Sequence, residues 1–389
     1  MRIFLFAIIN FICFCSRSPD YKPIDTNGKI KEIYLVSKSD SIITKISEIA
    51  SDIEYIPLQS WPGKQIFFID KIISHDNRIY INLVNDVLCF DLSGHFLYSL
   101  YGNNTVPERY RVAVFDFDVG TGDTTLVVLA GNEVFYFSFA GSGFEYVKTI
   151  KLDSPTALNL SFVPRTGKIL LSSTRRNGFE PMLHVLINLN GDTLSYKQNY
   201  FKRFNPVANK IWDEIIHYQF DKKLCIRERF NDTVYSLDEQ SDTFMPDFIL
   251  NSRLSSTNSN NLNDPEYYRI LPDVIRVFEV PRYLFYVYNM DRLHKVFYDK
   301  YEDKKLEIDP NIGVLKDDIG GGPDFEPVFC SDGCIYTWIS VRDLKKYTAS
   351  KDFIEARVLN PLKYEYLQKM GKDLKESDNP VIILIRPKT

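Results

Sequence analysis

The 389-residue chain is poor in the groupings that advertise a particular chemistry. Its five histidines, His75, His95, His184, His217 and His294, are scattered. Neither H-x3-H nor H-E-x-x-H occurs, so no zinc-hydrolase ligand set is written locally, and each histidine reads as a turn or face residue. A G-x-S-x-G elbow and a P-loop are both missing, which removes the signatures of α/β-hydrolases and P-loop nucleotide enzymes. Ser331-Asp332-Gly333 with Trp338 has the residue types of a sialidase box at the wrong spacing, and reads as a hairpin turn. Charge of neither sign dominates: 47 Lys and Arg face 51 Asp and Glu, for a net −4 spread along the chain. No basic stripe points to nucleic acid and no acidic tail points to disorder. No apolar run reaches the roughly 20 residues that span a bilayer.

Cysteine is scarce too, with six in all. Cys89 and Cys225 sit inside apolar strand patterns and read as small buried hydrophobes. Cys330 and Cys334 flank a turn signal, so they are candidates for a disulfide across it in an oxidising compartment. Cys13 and Cys15 belong to the N-terminal segment. There, Arg2 is a minimal basic region, and Ile3 to Phe14 is apolar apart from Asn10. This is a signal-peptide pattern, excluded from the fold. A cysteine at the end of a short apolar stretch resembles the bacterial lipoprotein signal. Cys15 is the expected lipidation site, because polar chain starts directly after it. The expected organisation is therefore a lipoprotein-type signal at 1–15, a tether at 16–28 and one domain at 29–389. The expected location is the cell envelope, as an outer-membrane lipoprotein facing periplasm or surface.

What the chain does have is a phrase that returns. Phe90-Asp91-Leu92-Ser93-Gly94, Phe137-Ser138-Phe139-Ala140-Gly141 and Ile187-Asn188-Leu189-Asn190-Gly191 each close one strand pattern and open another. A period of roughly 40–50 residues with about four strands per unit is the mark of a β-propeller. The 28 Phe and 24 Tyr suit β-rich structure. Five units can be phased between Ile66 and Ile308, each with four short strands joined by turns. A sixth begins at Pro327. Tyr347 to Asp373 breaks the pattern with apolar residues at helical spacing and reads as one or two helical turns. Val381 to Ile385 is a last apolar strand. Closing the ring removes its exposed edges, so the final blade is expected to take strands from both chain ends. Either Ile30–Val36 or Ile53–Pro57 is available for this. The expected fold is all-β: a six-bladed propeller of four-stranded antiparallel blades, with a short helical insertion near the C-terminus. Seven blades is the alternative count.

Several stretches resemble a family of six-bladed β-propeller lipoproteins abundant in the Bacteroidetes, with an NHL- or TolB-like repeat. They are Ser51 to Leu58 (an "IEYIPLE"-type opening), Asp91 to Gly102, Asn231-Asp232-Thr233-Val234-Tyr235, the Asp317 to Phe325 loop with Trp338-Ile339-Ser340, and Asp378 to Arg386. The Gly-rich loop expected after the first blade departs here, keeping Pro107, Glu108 and Tyr110 but losing its glycines. The resemblance implies a six-bladed fold and cell-envelope placement, and says little about activity.

Propeller ligands sit where the inter-blade loops and the loops between second and third strands converge. On that rim the sequence places Arg109 and Tyr110, Arg175 and Arg176, Trp212, Arg229, Tyr288 and Asp324. Arginine and aromatic side chains together suit sugar stacking or capture of carboxylate-bearing peptides. The reading is a binding or scaffold module for an envelope protein, glycan or peptide, with no catalytic residues, no nucleic acid and no required cofactor. The rival is a calcium-dependent propeller hydrolase or lactonase, for which Asp70, Asp116, Asp118, Asp273 and Glu279 are the candidate acids.

Overall fold

Runs such as Thr125–Ala130, TLVVLA, are buried at every position, because a strand in the middle of a blade is covered on both faces by neighbouring blades. The computed structural model describes residues 30–61, 65–100, 114–120, 125–140, 143–152, 157–173, 181–198, 214–229, 231–252 and 273–389. Cys15 and the expected signal and tether lie outside the described residues.

Six antiparallel sheets make six blades, each with four meandering strands. The first strands of the blades are Ile72–His75, Val114–Gly120, Ala157–Phe162, Ile215–Phe220, Asp273–Glu279 and Phe329–Ser331. These line the centre of the ring, and neighbouring blades meet along them. The core lies between blades rather than at one point. Between blades 1 and 2, for example, Tyr80, Val87 and Cys89 pack against Phe117, Val128 and Phe137. Full burial of a side chain like Phe137 contributes about 1.5–3 kcal/mol.

Both chain ends close the ring. In blade 6, Val381–Pro387 pairs on one side with Cys334–Ile339 and on the other with Ala50–Pro57. Of the two N-terminal candidates, the second is therefore the closing strand. The first takes another place. Lys31–Tyr34 adds in parallel to the outer edge of blade 4, and Ser41–Ile43 adds in parallel to the outer edge of blade 5. The N-terminal chain thus covers two exposed strand edges before it completes a third blade. Lys305 anchors this wrap by donating to the carbonyls of Tyr34 (2.9 Å) and Ser37 (2.6 Å).

The recurring glycines occupy the turns between third and fourth strands. Gly94 has φ +85° and Gly191 φ +92°, the left-handed region that glycine adopts freely. A Cβ on Gly191 would sit 2.7 Å from Cγ2 of Ile150, and one on Gly94 would overlap the carbonyl oxygen of Pro57. Each turn leans on the outer strand of the preceding blade, so the phrase joins blades as well as reversing the chain. Gly141 lies outside the described residues.

The structure decides one open alternative and corrects one expectation. Cys330 and Cys334 are free thiols. The hairpin register pairs Cys330 with Ile335 and Ser331 with Cys334, so the two thiols point to opposite faces of the sheet. The helical insertion is also larger than one or two turns. It contains α1 (Val341–Thr348), α2 (Lys351–Ile354) and α3 (Pro361–Asp373). Ser340 caps α1 by accepting from the Asp343 N–H, and Asn360 caps α3 with Pro361 at its first position. Lys345 donates to the carbonyls of Gly371 (2.9 Å) and Leu374 (2.8 Å), tying α1 to the C-terminal end of α3. Among the described residues, no helix is long and apolar enough to cross a membrane.

Candidate ligand-binding face

In a ring of up-and-down blades, the inter-blade connections and the links between second and third strands emerge on one face. Here the helical insertion joins the second and third strands of blade 6, so it stands on that face. Beside it runs the connection from Pro57 into blade 1. Between them lies a cleft of about 830 Å³. Its walls carry Phe67 from the connection, Arg342 and Lys346 from α1, and Glu376 and Asp378 from the segment after α3. Phe67 is 79% exposed and Phe68 61%, large values for aromatic side chains. Phe68 meets Trp338 edge-on at 5.9 Å. The connection is held by Asn379, whose side chain accepts from the Ile66 N–H (3.0 Å) and donates to the Gln59 carbonyl (3.0 Å). A smaller hollow of about 300 Å³ lies along Ile53–Pro57, with Lys363 reaching the Ile53 carbonyl and Asp52.

The rim residues read from sequence are distributed unevenly. Arg109, Tyr110, Arg175, Arg176 and Trp212 lie outside the described residues. Arg229 is on this face, with its guanidinium paired to Asp273. Tyr288 is buried at 6% exposure and stacks on His294 at 4.6 Å and 9°. Burial pushes its phenol up to about 12. Asp324 is exposed on the 317–325 loop. Asp317 organises that loop by accepting from the N–H groups of Ile319 (3.0 Å), Gly320 (2.8 Å) and Gly322 (2.7 Å) and from the Tyr55 hydroxyl. The Gly-rich stretch is thus anchored to the closing strand of blade 6.

The acids near the centre have protein partners. Asp116 accepts from Lys71 (2.8 Å) and from the Leu160 N–H (2.8 Å) of the next blade. Asp118 accepts from the N–H groups of Val119 (2.8 Å) and Phe162 (2.8 Å) and from Gln219 (3.1 Å). These alternating aspartates join the inner strands of blades 2 and 3. Asp70 is exposed. Glu279 accepts from Lys300 (3.0 Å) and the Tyr218 hydroxyl (3.1 Å), and burial raises its carboxyl. Cys225, Asp247 and Glu279 bring ligand atoms within 4.8 Å of one another. The Lys300 ammonium, fully buried beside them, supplies positive charge at that spot.

Blades 3 and 4 share a polar chain that sequence reading missed. Ser161 lies 3.1 Å from His217 Nδ1, and Ser172 lies 2.7 Å from His217 Nε2. Ser172 is also 2.6 Å from His184 Nδ1, and His184 Nε2 is 3.0 Å from Glu228. Lys197 completes the chain by pairing with Glu228. The proton directions follow in sequence. Glu228, a carboxylate facing Lys197, accepts from His184 Nε2–H. His184 Nδ1 then accepts from Ser172, Ser172 accepts from His217 Nε2–H, and His217 Nδ1 accepts from Ser161. Burial, His184 and Lys71 hold the His217 imidazole well below the usual histidine range. His184 is 1% exposed. Neither histidine is the turn or face residue read from sequence, and no local motif could reveal them, because the partners span Ser161 to Glu228.

The family described as "Domain of unknown function (DUF4934)" matches residues 31–386. The chain belongs to this family. A Bacteroides fragilis protein described as a "putative exported protein" is 17% identical, with a TM-score of 0.67 over 92% of this chain and 99% of that one. It shares the fold. PorZ, a surface component of the type-IX secretion system of Porphyromonas gingivalis, is 11% identical, with a TM-score of 0.37 over 69% of this chain and 29% of that one. A Bacteroides caccae protein is 9% identical, with a TM-score of 0.39 over 66% of this chain and 93% of that one. No curated protein matches the sequence.

Proposed function

We propose that this protein is an envelope binding or scaffold module, lipid-anchored through Cys15, that presents the loop-and-helix face of its propeller to a ligand. The observation that carries this reading is the open cleft on that face, with Phe67 exposed at its edge and charged side chains on its walls. Its volume of about 830 Å³ is in the range of ligand sites. The description of the Bacteroides fragilis protein as a "putative exported protein" is in keeping with an envelope location. A calcium-dependent hydrolase needs several acids turned toward one ion. Asp116, Asp118 and Glu279 instead direct their oxygens at Lys71, backbone amides, Gln219, Lys300 and Tyr218, which favours the binding reading.

Site-directed photo-crosslinking in cells tests this. A photoreactive side chain at position 67 should give discrete adducts, and one at Gln240, on a turn of the opposite face, should give none. Equal adducts from both positions, or none from either, would remove the reading. Cys15→Ala should release the protein from the membrane fraction; retention there would remove the lipid anchor. Calcium should leave the melting temperature unchanged, and a large upward shift abolished by Asp116→Asn would restore the hydrolase.

A further inference from the structure

We infer that the cleft beside α1 takes an extended peptide segment with two acidic side chains at alternate positions and an apolar side chain against Phe67. This deepens, and rests on, the reading of this face as a binding face. Arg342 and Lys346 are one helical turn apart on α1, and both line the cleft. Both are exposed, and neither has an ion-pair or hydrogen-bond partner among the described residues. Their neighbour Lys345 is different, since its ammonium is committed to the carbonyls at the end of α3. The helix therefore offers two unpartnered cations to the cleft, beside Asp343, whose carboxylate accepts from the Ser340 hydroxyl (2.6 Å).

Their spacing selects the ligand. Residues four apart on a helix have Cβ atoms about 5–6 Å apart. Alternate residues of an extended strand repeat every ~6.5 Å on one side. Long Arg and Lys side chains span the difference, so two carboxylates at alternate positions meet both cations together. Residues between them face the other way and are free to be apolar or neutral.

The acids that also line the cleft narrow the choice further. Glu376 is exposed there, and Asp378 accepts from the Lys375 N–H (2.7 Å). A polymer with a negative charge on every unit, such as an acidic glycan or a nucleic acid, would be repelled along this side. A peptide with acids on one face only places them on α1 and turns its neutral intervening side chains away from α1. Phe67, standing at the mouth with most of its ring in solvent, provides the apolar contact.

The test is fluorescence polarisation with the purified domain and three fluorescein-tagged nonapeptides, two of identical composition in Glu, Val and Ser and the third their Gln counterpart. One has Glu at alternate positions, one has its Glu residues contiguous, and one has every Glu replaced by Gln. Polygalacturonate and a neutral glucan serve as competitors. The alternating peptide should bind at least tenfold more tightly than either of the others. Arg342→Ala with Lys346→Ala should remove that preference, and Phe67→Ala should weaken binding of the alternating peptide. Unchanged melting temperatures would show that these exposed substitutions leave the fold intact. Equal binding of the Glu and Gln peptides, or no effect of the double variant, overturns the inference. A glycan that binds through Phe67 while no peptide does overturns it too, yet leaves the binding face standing. No probe bound, together with no crosslink at position 67, overturns both.

Discussion

Lowering the pH should unfasten blade 3 from blade 4, and His217 is the group through which it acts. In the folded protein this imidazole accepts from Ser161 and donates to Ser172, with His184 and Lys71 nearby, and burial holds its pKa well below the usual histidine range. In the unfolded chain it regains an ordinary histidine pKa. Above pH 6.5 neither state is protonated there, and the contribution of the network is fully present. Below it the unfolded chain takes up a proton that the folded chain refuses, so stability is lost as pH falls toward the folded value. The slope for one proton is at most ~1.4 kcal/mol per pH unit, so the loss between pH 6.5 and pH 5 is at most about 2 kcal/mol. Buried carboxyls oppose it: Asp118, Asp247, Glu279 and Asp317 are all raised by burial, so they bind protons more readily when folded. The raw pH profile therefore mixes signs, and a difference measurement isolates the histidine. Urea unfolding of wild type and His217→Gln should be followed from pH 8 to pH 5. At pH 8 the variant should be less stable by about 1–3 kcal/mol, since Ser161 and Ser172 lose well-fitted partners. As pH falls, the gap should close, by at most about 2 kcal/mol, because only wild type carries the penalty. Parallel profiles would refute the reasoning, as would a gap that widens on acidification.

Other expectations follow from particular contacts. Gly94→Ala should destabilise by at least ~1–2 kcal/mol from the left-handed backbone alone, with more from displacing the Pro57 carbonyl. Gly143→Ala, whose Cβ would have ordinary room beside Tyr98, is the matched control in thermal melts. Lys300→Met strands the buried Glu279 and should cost about 3–5 kcal/mol in denaturant titrations. Adding Glu279→Gln should recover a substantial part, and no recovery would mean that Lys300 acts through packing. Intact-mass analysis after alkylation of the unreduced, unfolded protein should find Cys330 and Cys334 both modified, and a linked pair would contradict the hairpin register.

The six-bladed fold was legible in the chain because a propeller writes the same local pattern many times. Strands such as Ile215–Phe220 and Lys304–Ile308 fall where alternation and turn residues place them. The ends of the helical insertion were legible in principle, since Ser340 with Asp343 and Asn360 with Pro361 are capping signals. The candidate site was much less legible. Arg229 and Tyr288 have the residue types of a rim, but one pairs with Asp273 and the other is buried against His294. Phe67, Arg342 and Lys346 belong to no repeat, and only the meeting of the insertion with a distant connection makes them one cleft.

By itself, then, the sequence determined the repeat, the turn glycines and the closure of the ring from both ends. Those are properties of short segments, set by period, backbone freedom and apolar pattern. The tertiary structure decided what each polar residue faces. It set Ser161, Ser172, His184, His217 and Glu228 in one hydrogen-bonded line across two blades. It turned the central aspartates toward neighbouring blades, and it laid residues 31–43 along the outer edges of blades 4 and 5. Those outcomes depend on which strand lies beside which, and hydrogen bonds between residues tens of positions apart leave no local pattern in the chain.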